Sequence, residues 1–520
     1  MRNSCRWGLA SVAVGVALVA TACGAGPEPT TASDAPRTGG DATIVLGVDA
    51  ARGLDPAALF NLTPSGDANR MSAIFDVLFA ADAATGEVTP GIGESLTSDA
   101  DGRVWTLTLR AGVRFSDGTP FDAEAVKFNY ERIADPATKS PLAGLVAGVT
   151  FAVADERTLT ITLPAPNSQF DRTLALNLTY IGSPTALRAD PAAFAEKPVG
   201  AGPFVLEEWV RDDHMTLVRN PAYYQEGRPY LDSVTFRVIA DPVQRINAVT
   251  TGQAHAAVPG SELSFAQRAE GAGLAVTRAA AGGGPTLMFN TARAPFDDVR
   301  ARRAVALAID GKDLAAVVDP GSSQPESLYG PDSPFHPDER VLPGQDKDEA
   351  QQLFTELAAD GKPVRFTVSM PGSGFFRRTA EYLQSRLSQF RDVEVAIEVL
   401  DNASLDRKVF QARDFDLSAQ IVPVPDPEPN LYKLLHSGGQ TNYMSYSSPE
   451  VDAALDEGRQ STDEATRAEA YATVERLVAR DVPILPFRNQ ATYTVHSSDL
   501  VGLSLHGDGC LRYDRLGLAG

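Results

Sequence analysis

The residue patterns that would support hydrolytic or phosphate-transfer chemistry are missing from this 520-residue sequence. A serine hydrolase would carry its nucleophile in Gly-x-Ser-x-Gly, and a zinc peptidase would carry His-Glu-x-x-His; neither occurs. The nearest serine-glycine cluster is Pro371-Gly-Ser-Gly374, which we interpret as a turn between a strand and a helix whose N–H groups could face an anion. The phosphate loop Gly-x-x-x-x-Gly-Lys-Ser/Thr is also missing, so ATP hydrolysis is not expected in this chain. The six histidines include no close pair, so we predict neither a metal nor a cofactor.

Cys23 is the residue at which covalent chemistry is expected. Arg2 and Arg6 precede an apolar stretch, 7–22, which at about sixteen residues is shorter than the roughly twenty that span a bilayer. The stretch ends in small residues followed by cysteine, a pattern similar to a bacterial lipobox. We therefore predict a signal peptide over 1–22 and a lipid on Cys23, which places the protein on the extracytoplasmic face of the cell membrane. The alternative is ordinary signal cleavage, which would leave Cys23 unmodified.

Residues 23–42 are rich in glycine, proline, serine and threonine and show no apolar periodicity, so they predict a flexible tether. The remainder has the composition of a globular protein, with 43% hydrophobic residues. There are 67 acidic and 46 basic side chains, and the net charge of −21 argues against nucleic acid as the main partner. If Cys23 carries a lipid, Cys510 is the lone thiol of the mature chain, and we interpret it as structural.

Strand and helix patterns alternate from residue 43 onwards, which indicates an α/β protein. Side chains alternate in character over Val104–Leu109 and again over Thr158–Leu163, and both segments are predicted strands. Asp122 is a predicted N-cap for a helix that continues to Arg132. Further predictions are strands at 43–48, 234–239, 364–370 and 393–400, and helices at 242–250, 300–309, 376–390 and, as a pair, 449–479.

Four sequence blocks in order resemble the family 5 extracytoplasmic solute-binding proteins of peptide and nickel ABC importers. The first is Trp105-Thr-Leu-Thr-Leu-Arg-Ala-Gly-Val-Arg-Phe-Ser-Asp-Gly-Thr-Pro-Phe121. The others are Gly200-Ala-Gly-Pro-Phe204 with 217–232, Phe289-Asn-Thr291 with 295–310, and Tyr446-Ser-Ser-Pro-Glu-Val-Asp452. Their aromatic residues, including Trp105, Phe115 and Phe121, are expected in the core rather than in contact with a ligand.

The resemblance implies an α/β periplasmic-binding-protein-like fold, type II in its large three-part variant, with a ligand cleft between two lobes. Lobe I would contain 43–75, 195–285 and 486–520, with an inserted subdomain at 76–194. Lobe II would cover 286–485. Such proteins close over their ligand by a hinge motion and then dock on a permease, whose ATPase subunits are separate chains.

In peptide-binding relatives, a lobe II loop supplies a tryptophan and an aspartate that pairs with the peptide ammonium. The corresponding loop here is residues 418–430. Aligning Asp426-Pro427 on the family's Asp-Pro places Gln420 at the tryptophan and Pro423 at the aspartate, so both family residues are missing. Asp426 or Glu428 could take over the ammonium; the alternative is that both are solvent-exposed loop carboxylates.

Two further segments line the cleft in relatives. Phe60-Asn61 follows the first strand of lobe I, and Phe487-Arg488-Asn489 follows the return from lobe II. The Arg488 guanidinium could hold a ligand carboxylate through two hydrogen bonds; the alternative is a salt bridge that closes the hinge. His436 could contribute to a nickel-chelate site, although isolated histidines do not favour one.

The sequence therefore predicts a monomeric, lipid-anchored substrate-binding subunit of an ABC importer rather than an enzyme. Its ligand would be a peptide or peptide-like solute. Alternatives are a non-peptide solute in the same fold, such as a metal chelate, sugar or opine-like compound, a chaperone-like or purely structural lipoprotein, or a tethered hydrolase.

Overall fold

The computed structural model describes residues 35–520 apart from 51–52, 59–66, 83–84 and the single positions 281, 332, 425, 490 and 508. Three residues predicted to be functional, Cys23, Phe60 and Asn61, lie outside the described residues, as does the predicted signal peptide. Among the described residues, no helix combines the length and the apolar character needed to cross a membrane.

The strands of the described chain form three main sheets. The large sheet has seven strands in the spatial order Ala275–Ala280, Ala491–His496, Ala256–Gly260, Asp41–Leu46, Ser233–Val238, His214–Arg219 and Phe204–Val210. Its centre is parallel, because Asp41–Leu46 pairs in parallel with both of its neighbours. Ile44, Val45 and Leu46 are fully buried, as expected for a strand covered on both faces.

The second sheet takes all its strands from the later part of the described chain. Its order is Val393–Leu400, Val364–Pro371, Leu417–Pro423, Gly283–Phe289 and Ile484–Pro486. The first two strands pair in parallel over eight residues, and Gly283–Phe289 runs antiparallel to both of its neighbours.

The small sheet lies within the predicted insertion. Its order is Gly93–Ser98, Val104–Leu109, Thr158–Thr162 and Thr150–Asp155, all antiparallel. Trp105 lies opposite Ile161 and Leu107 opposite Leu159 in the register, and all four are buried. The alternation in sequence thus becomes one apolar face that packs against the helix after Asp122.

Helices cover the sheets. The longer ones in the described chain are Ala68–Phe75, Ala123–Ala134, Phe170–Asn177, Pro242–Thr250, Leu263–Gly271, Val299–Ala308, Gly311–Val318, Lys347–Ala359, Gly374–Leu387, Pro449–Gln460 and Glu464–Asp481. Shorter α-helices are Pro184–Ala189, Pro191–Glu196, Asn402–Leu405 and Asn430–Leu435. Asp122 caps its helix as predicted, accepting a hydrogen bond from the Ala125 N–H at 2.8 Å.

Smaller pairings complete the described structure. Phe79–Ala81 pairs with Val88–Pro90, and Leu505–His506 pairs with Cys510–Leu511. Pro36–Arg37 pairs with Gly517–Ala519, which also pairs with Leu500–Val501, so the end of the segment predicted as a tether packs against the C-terminus. Cys510 is buried, in line with its structural interpretation.

The chain passes between the large and second sheets twice. The first crossing joins the edge strand of the large sheet, which ends at Ala280, to the second sheet, and its described residue is Gly282. The second crossing returns from the second sheet to the large one, and its described residues are 487–489. The predicted lobe limits at 285/286 and 485/486 fall within a few residues of these crossings, and the division into lobes stays a prediction.

Candidate functional site

The predicted site residues lie around the second crossing and around the loop that follows the strand Leu417–Pro423. The second crossing begins beside the strand that follows the first crossing, because the Phe487 N–H donates to the Pro285 oxygen at 3.0 Å. At the first crossing, Gly282 has a φ of 54°, and a Cβ there would collide with the backbone oxygen of Val424. Glycine is therefore required where the crossing meets the loop.

Gln420, which the sequence analysis aligned with the family's tryptophan, lies opposite Thr286 in the antiparallel register of the second sheet. Its side chain is half-buried, and the neighbouring Ile421 is 44% exposed. Pro423, at the position of the family's aspartate, ends the strand, and its oxygen accepts a hydrogen bond from the Asn430 amide at 2.8 Å. This strand end therefore carries an amide and an apolar side chain at the two positions that the sequence analysis aligned with the family's tryptophan and aspartate.

Asp426 is buried and is already paired with two arginines. Arg467 Nη2 lies 3.1 Å from both carboxylate oxygens, and Arg172 Nε lies 3.0 Å from Oδ2. Arg467 belongs to the helix Glu464–Asp481, whereas Arg172 belongs to the helix Phe170–Asn177 of the predicted insertion. Burial lowers the pKa of Arg172, but the charges of Asp426 and Asp171 and the hydrogen bonds to them together outweigh burial and hold that pKa above its usual value.

Glu428 is fully buried and is held by one arginine. Arg459 Nε and Nη2 donate to its two oxygens at 3.1 and 2.8 Å, a bidentate pair. The same guanidinium lies 3.1 Å from the centroid of the Tyr432 ring. Burial raises the pKa of Glu428, and the nearby Arg459 charge opposes that rise.

The expectation that Asp426 and Glu428 are solvent-exposed loop carboxylates is therefore wrong. They are 2% and 0% exposed, because each lies beneath arginines that neutralise it. Their role as acceptors for a ligand ammonium stays a prediction. The geometry weakens it, since a ligand would have to compete with guanidinium groups at 2.8–3.1 Å.

Arg488 is buried at the second crossing, and its guanidinium binds protein groups. Its Nη1 donates to Asp319 Oδ2 at 2.6 Å and to the Ser261 oxygen at 2.5 Å. Asp319 also accepts from the Leu263 N–H at 3.0 Å, so the carboxylate joins the crossing to the start of a helix on the large sheet. The guanidinium lies 4.9 Å from the centre of the Phe375 ring. Of the two alternatives for Arg488, the structure contains the salt bridge at the hinge.

The neighbours of Arg488 have different surroundings. Phe487 is buried and stacks on Phe375, with 6.0 Å between ring centroids and 22° between ring planes. Asn489 is half-buried, and its amide donates to Ser323 Oγ at 3.1 Å. Phe487 is thus a packing residue, whereas Asn489 keeps a polar side chain at the surface of the crossing.

The His436 ring is held by contacts with other protein groups. Its ring stacks on Tyr432 at 4.4 Å between centroids, and its Nδ1 accepts from the Gly438 N–H at 3.0 Å. Asp456 lies 3.9 Å from its Nε2. In the part of the chain that the structure describes, no group of three or more histidine, cysteine, aspartate or glutamate side chains is arranged to hold a metal ion.

Sequence reasoning missed the contacts between the predicted insertion and the helices that follow the loop. The Ser168 N–H and Oγ donate to the Arg459 and Gln460 oxygens at 3.0 and 2.7 Å. The Gln169 amide donates to the Ser461 oxygen at 2.9 Å. Together with the Arg172–Asp426 pair, these bonds join the insertion to the loop and to the helices that follow it. Local sequence patterns carry no signal for them, because the partners lie more than 250 residues apart.

Three of the cavities between described residues adjoin these elements. One of about 160 Å³ lies between Phe170 of the insertion and Lys433 near the loop. One of about 460 Å³ lies beside Ser261, the residue that receives the Arg488 hydrogen bond. One of about 490 Å³ is lined by Asn489. The linings of these three cavities mix apolar side chains with amides, hydroxyls and charged groups.

Comparison with known protein families identifies the functional class of this chain. The family model described as "Bacterial extracellular solute-binding proteins, family 5 Middle" matches residues 87–442. The chain belongs to this family. It is therefore the substrate-binding protein of an ABC transporter and not an enzyme, as the sequence resemblance implied.

Curated relatives extend the match beyond the family segment. The glutathione-binding protein GsiB of Salmonella typhimurium is 26% identical over 442 residues, covering 81% of this chain and 85% of the relative. GsiB of Shigella flexneri is 26% identical over 448 residues, covering 80% and 83%.

Solved structures show the same fold. The oligopeptide-binding protein AppA of Bacillus subtilis, in complex with a nonapeptide, has a TM-score of 0.79 at 20% identity and covers 93% of this chain and 100% of its own. DppA of Helicobacter pylori, in complex with the peptide STSA, has a TM-score of 0.79 at 24% identity, covering 93% and 99%. AgaA of A. tumefacien R10, in complex with agropinic acid, has a TM-score of 0.79 at 24% identity, covering 92% and 99%. The predicted α/β periplasmic-binding-protein fold is confirmed.

Proposed function

We propose that this family 5 protein captures peptides or peptide-like solutes outside the cell membrane and delivers them to an ABC permease. The observation that carries the proposal is the family match, which includes the loop that meets the solute in peptide-binding relatives. Curated relatives at 26% identity are glutathione-binding proteins, and glutathione is a tripeptide. Capture of the solute requires only the cleft. ATP hydrolysis, which drives transport through the permease, takes place in separate subunits.

The solute would lie between the two lobes, which hinge at the first and second crossings. We propose lobe limits at the sequence boundaries given above. Gln420 and Asn489 are the described candidates best placed to meet a solute, because both are half-buried and polar. Phe60 and Asn61 would complete the lobe I side. Phe487 and Arg488 would hold the hinge, and Asp426 and Glu428 would hold the insertion and the loop against their helices.

A lipid on Cys23 would tether the protein to the extracytoplasmic face of the membrane. The proposal is supported by the small-residue pattern that precedes the cysteine and by the glycine- and proline-rich segment that follows it. The protein would act as a monomer.

A second candidate is a non-peptide solute, such as an opine-like carboxylate, in the same cleft. The specific observation that favours it is the loss of the family's ammonium-binding aspartate at Pro423, together with the arginine pairing of Asp426 and Glu428. Such a site offers little to a free ammonium. AgaA, a structural neighbour, was solved with agropinic acid.

Titration calorimetry with a panel of ligands tests the proposal. The panel contains glutathione, tri-alanine, N-acetylated tri-alanine and an opine, and chromatography afterwards checks that each ligand is recovered intact. We expect one-to-one binding of at least one peptide with full recovery. Binding of the opine alone would move the assignment to the second candidate, and consumption of a ligand would contradict the solute-binding function.

A further inference from the structure

A cavity lined by arginines lies where the insertion meets the C-terminal segment of the chain. It has a volume of about 640 Å³, inside the range of about 300–1,000 Å³ typical of small-molecule sites. Its walls come from the small sheet on one side and from residues 224–225 and 512–515 on the other. We call it the arginine cavity; the arginines that line it are Arg110, Arg157, Arg512 and Arg515.

The lining of the arginine cavity carries more positive than negative charge. Glu94 is the carboxylate among its lining residues, and it is ion-paired with Arg157. Arg110 uses its Nε to donate to the Gly91 oxygen at 2.6 Å, and no described carboxylate lies within ion-pair distance of it. Its terminal nitrogens are therefore available to an anion.

The carboxylates beneath the cavity are shared among several arginines. Asp514 lies 2.9 Å from Arg228, 3.2 Å from Arg512 and 3.9 Å from Arg515. Asp76 lies 4.0 Å from Arg512, and burial raises the pKa of Asp76. Asp155 also interacts with Arg157, so the neighbourhood contains five arginines against four carboxylates. This excess stands out in a chain whose net charge is −21.

A tyrosine adds a neutral donor to the arginine cavity. The Tyr224 hydroxyl accepts a hydrogen bond from the Gln225 amide at 3.0 Å, which leaves its own proton to donate. Burial raises the pKa of this hydroxyl, so it stays protonated at physiological pH. Guanidinium and hydroxyl donors that converge on one cavity are the groups that bind phosphate and carboxylate oxygens.

We propose that the arginine cavity binds a compact soluble polyanion, a molecule with at least two negative charges on phosphate or carboxylate groups. The site is separate from the solute cleft, since its lining includes no residue of the crossings, of the loop 418–430 or of the second sheet. The polyanion would bridge the small sheet and the C-terminal segment, and it would bind whether or not the cleft holds a solute.

Titration calorimetry with pyrophosphate and with citrate, at constant ionic strength, tests this proposal. We expect one-to-one binding of at least one of the two probes to the purified protein. The double variant Arg110→Gln/Arg515→Gln should raise the Kd at least tenfold, because it removes the two arginines of the cavity lining that are most exposed. The single variant Arg515→Gln, at a side chain 49% exposed, should give a smaller rise and guards against a folding defect.

The matched control is Arg365→Gln/Arg377→Gln, which removes the same charge at two side chains more than 60% exposed and outside the cavity. It should change the Kd less than twofold. Failure of both probes to bind at 1 mM, or an equal loss in the control variant, would overturn the proposal. Solute affinity in the cleft should be unchanged in the Arg110/Arg515 variant, so the result is independent of the proposed transport function.

Discussion

Arg172 Nε lies 3.0 Å from Asp426 Oδ2, so a helix of the insertion and the loop after a central strand of the second sheet share one buried ion pair. Asp426 is simultaneously bound by Arg467 of its own half of the chain. Arg467 therefore stays close to Asp426, whereas the distance between Arg172 and Asp426 depends on how the insertion is placed relative to the loop. We therefore propose that the Arg172 contact stabilises a closed form of the protein.

Substitution at the two ends of this ion pair should have unequal effects. Arg172→Gln leaves Asp426 paired with Arg467, so we expect a loss of about 1 kcal/mol in the free energy of unfolding. Asp426→Asn leaves two largely buried arginines without their carboxylate, and we expect a loss of about 3–5 kcal/mol. Urea denaturation measures both. Equal losses would contradict the view that Arg467 is the constant partner.

The variant Arg172→Gln also tests closure of the lobes, separately from stability. If Arg172 stabilises the closed form, solute-free Arg172→Gln should have a larger radius of gyration by small-angle X-ray scattering than the parent protein. Arg377→Gln, at an exposed helical position, is the matched control and should scatter like the parent. An unchanged radius in Arg172→Gln would show that other contacts hold the closed form.

Arg488 and Asp319 should behave as a coupled pair. Removal of either side chain leaves the other as a buried charge without its ion-pair partner, since they are 3% and 1% exposed. We expect Arg488→Gln and Asp319→Asn each to cost about 3 kcal/mol or more in unfolding free energy, and the double variant to show a coupling of at least about 1 kcal/mol. The contrary result is a stable Arg488→Ala protein that binds a carboxylate solute at least tenfold more weakly, about 1.4 kcal/mol, which would place Arg488 in the solute site.

His506 should make the protein less stable in acid. Burial, assisted by the Arg512 charge, lowers the pKa of His506 from 6.5 to about 3. Between these values the unfolded chain binds a proton that the folded protein excludes. Stability is therefore present above about pH 6.5 and is lost as the pH falls toward 3, at about 1.4 kcal/mol per pH unit.

The variant His506→Gln tests this dependence. Its amide can keep a hydrogen bond to Ser72 Oγ, which lies 3.2 Å from His506 Nε2. Urea denaturation at pH 7 and at pH 4.5 should show that the parent loses about 2.7 kcal/mol more than the variant between the two conditions. Parallel losses would mean that His506 is protonated in the folded state.

Cys23→Ala should release the protein from the membrane fraction without changing its affinity for solute. The physical reason is that the proposed lipid acts only through the tether, whereas the solute meets the folded body. Fractionation followed by calorimetry measures both properties. Loss of binding in the released protein would contradict the tether interpretation, and retention in the membrane would contradict the lipid at Cys23.

Elements with strong local signals could be predicted from the sequence. Alternation identified Val104–Leu109 and Val393–Leu400 with the bounds that the structure gives. Asp122 identified the start of its helix. These features depend on residues within a few positions of one another, where side-chain and backbone geometry are set locally.

The site could be predicted only in part, because its partners are distant in sequence. Asp426 was recognised as a carboxylate in the loop 418–430, but its partner Arg172 lies 254 residues away in the sequence. Arg488 was recognised as a guanidinium at the hinge, but Asp319, its partner, lies 169 residues away. Arginine and aspartate occur throughout the chain, so no spacing singles out these pairs. The local type of each residue indicated what it could bind, and the tertiary fold decides what it does bind.

Native mass spectrometry of the soluble chain from residue 24, purified from cell extract, tests the central claim most directly. Denaturation of the isolated complex releases whatever solute the cleft has captured, and a second spectrum identifies it. The account predicts one solute per protein, with masses that fit short peptides or a glutathione-like compound. A single non-peptide mass would contradict peptide capture, and release of a chemically altered product would contradict the solute-binding function itself.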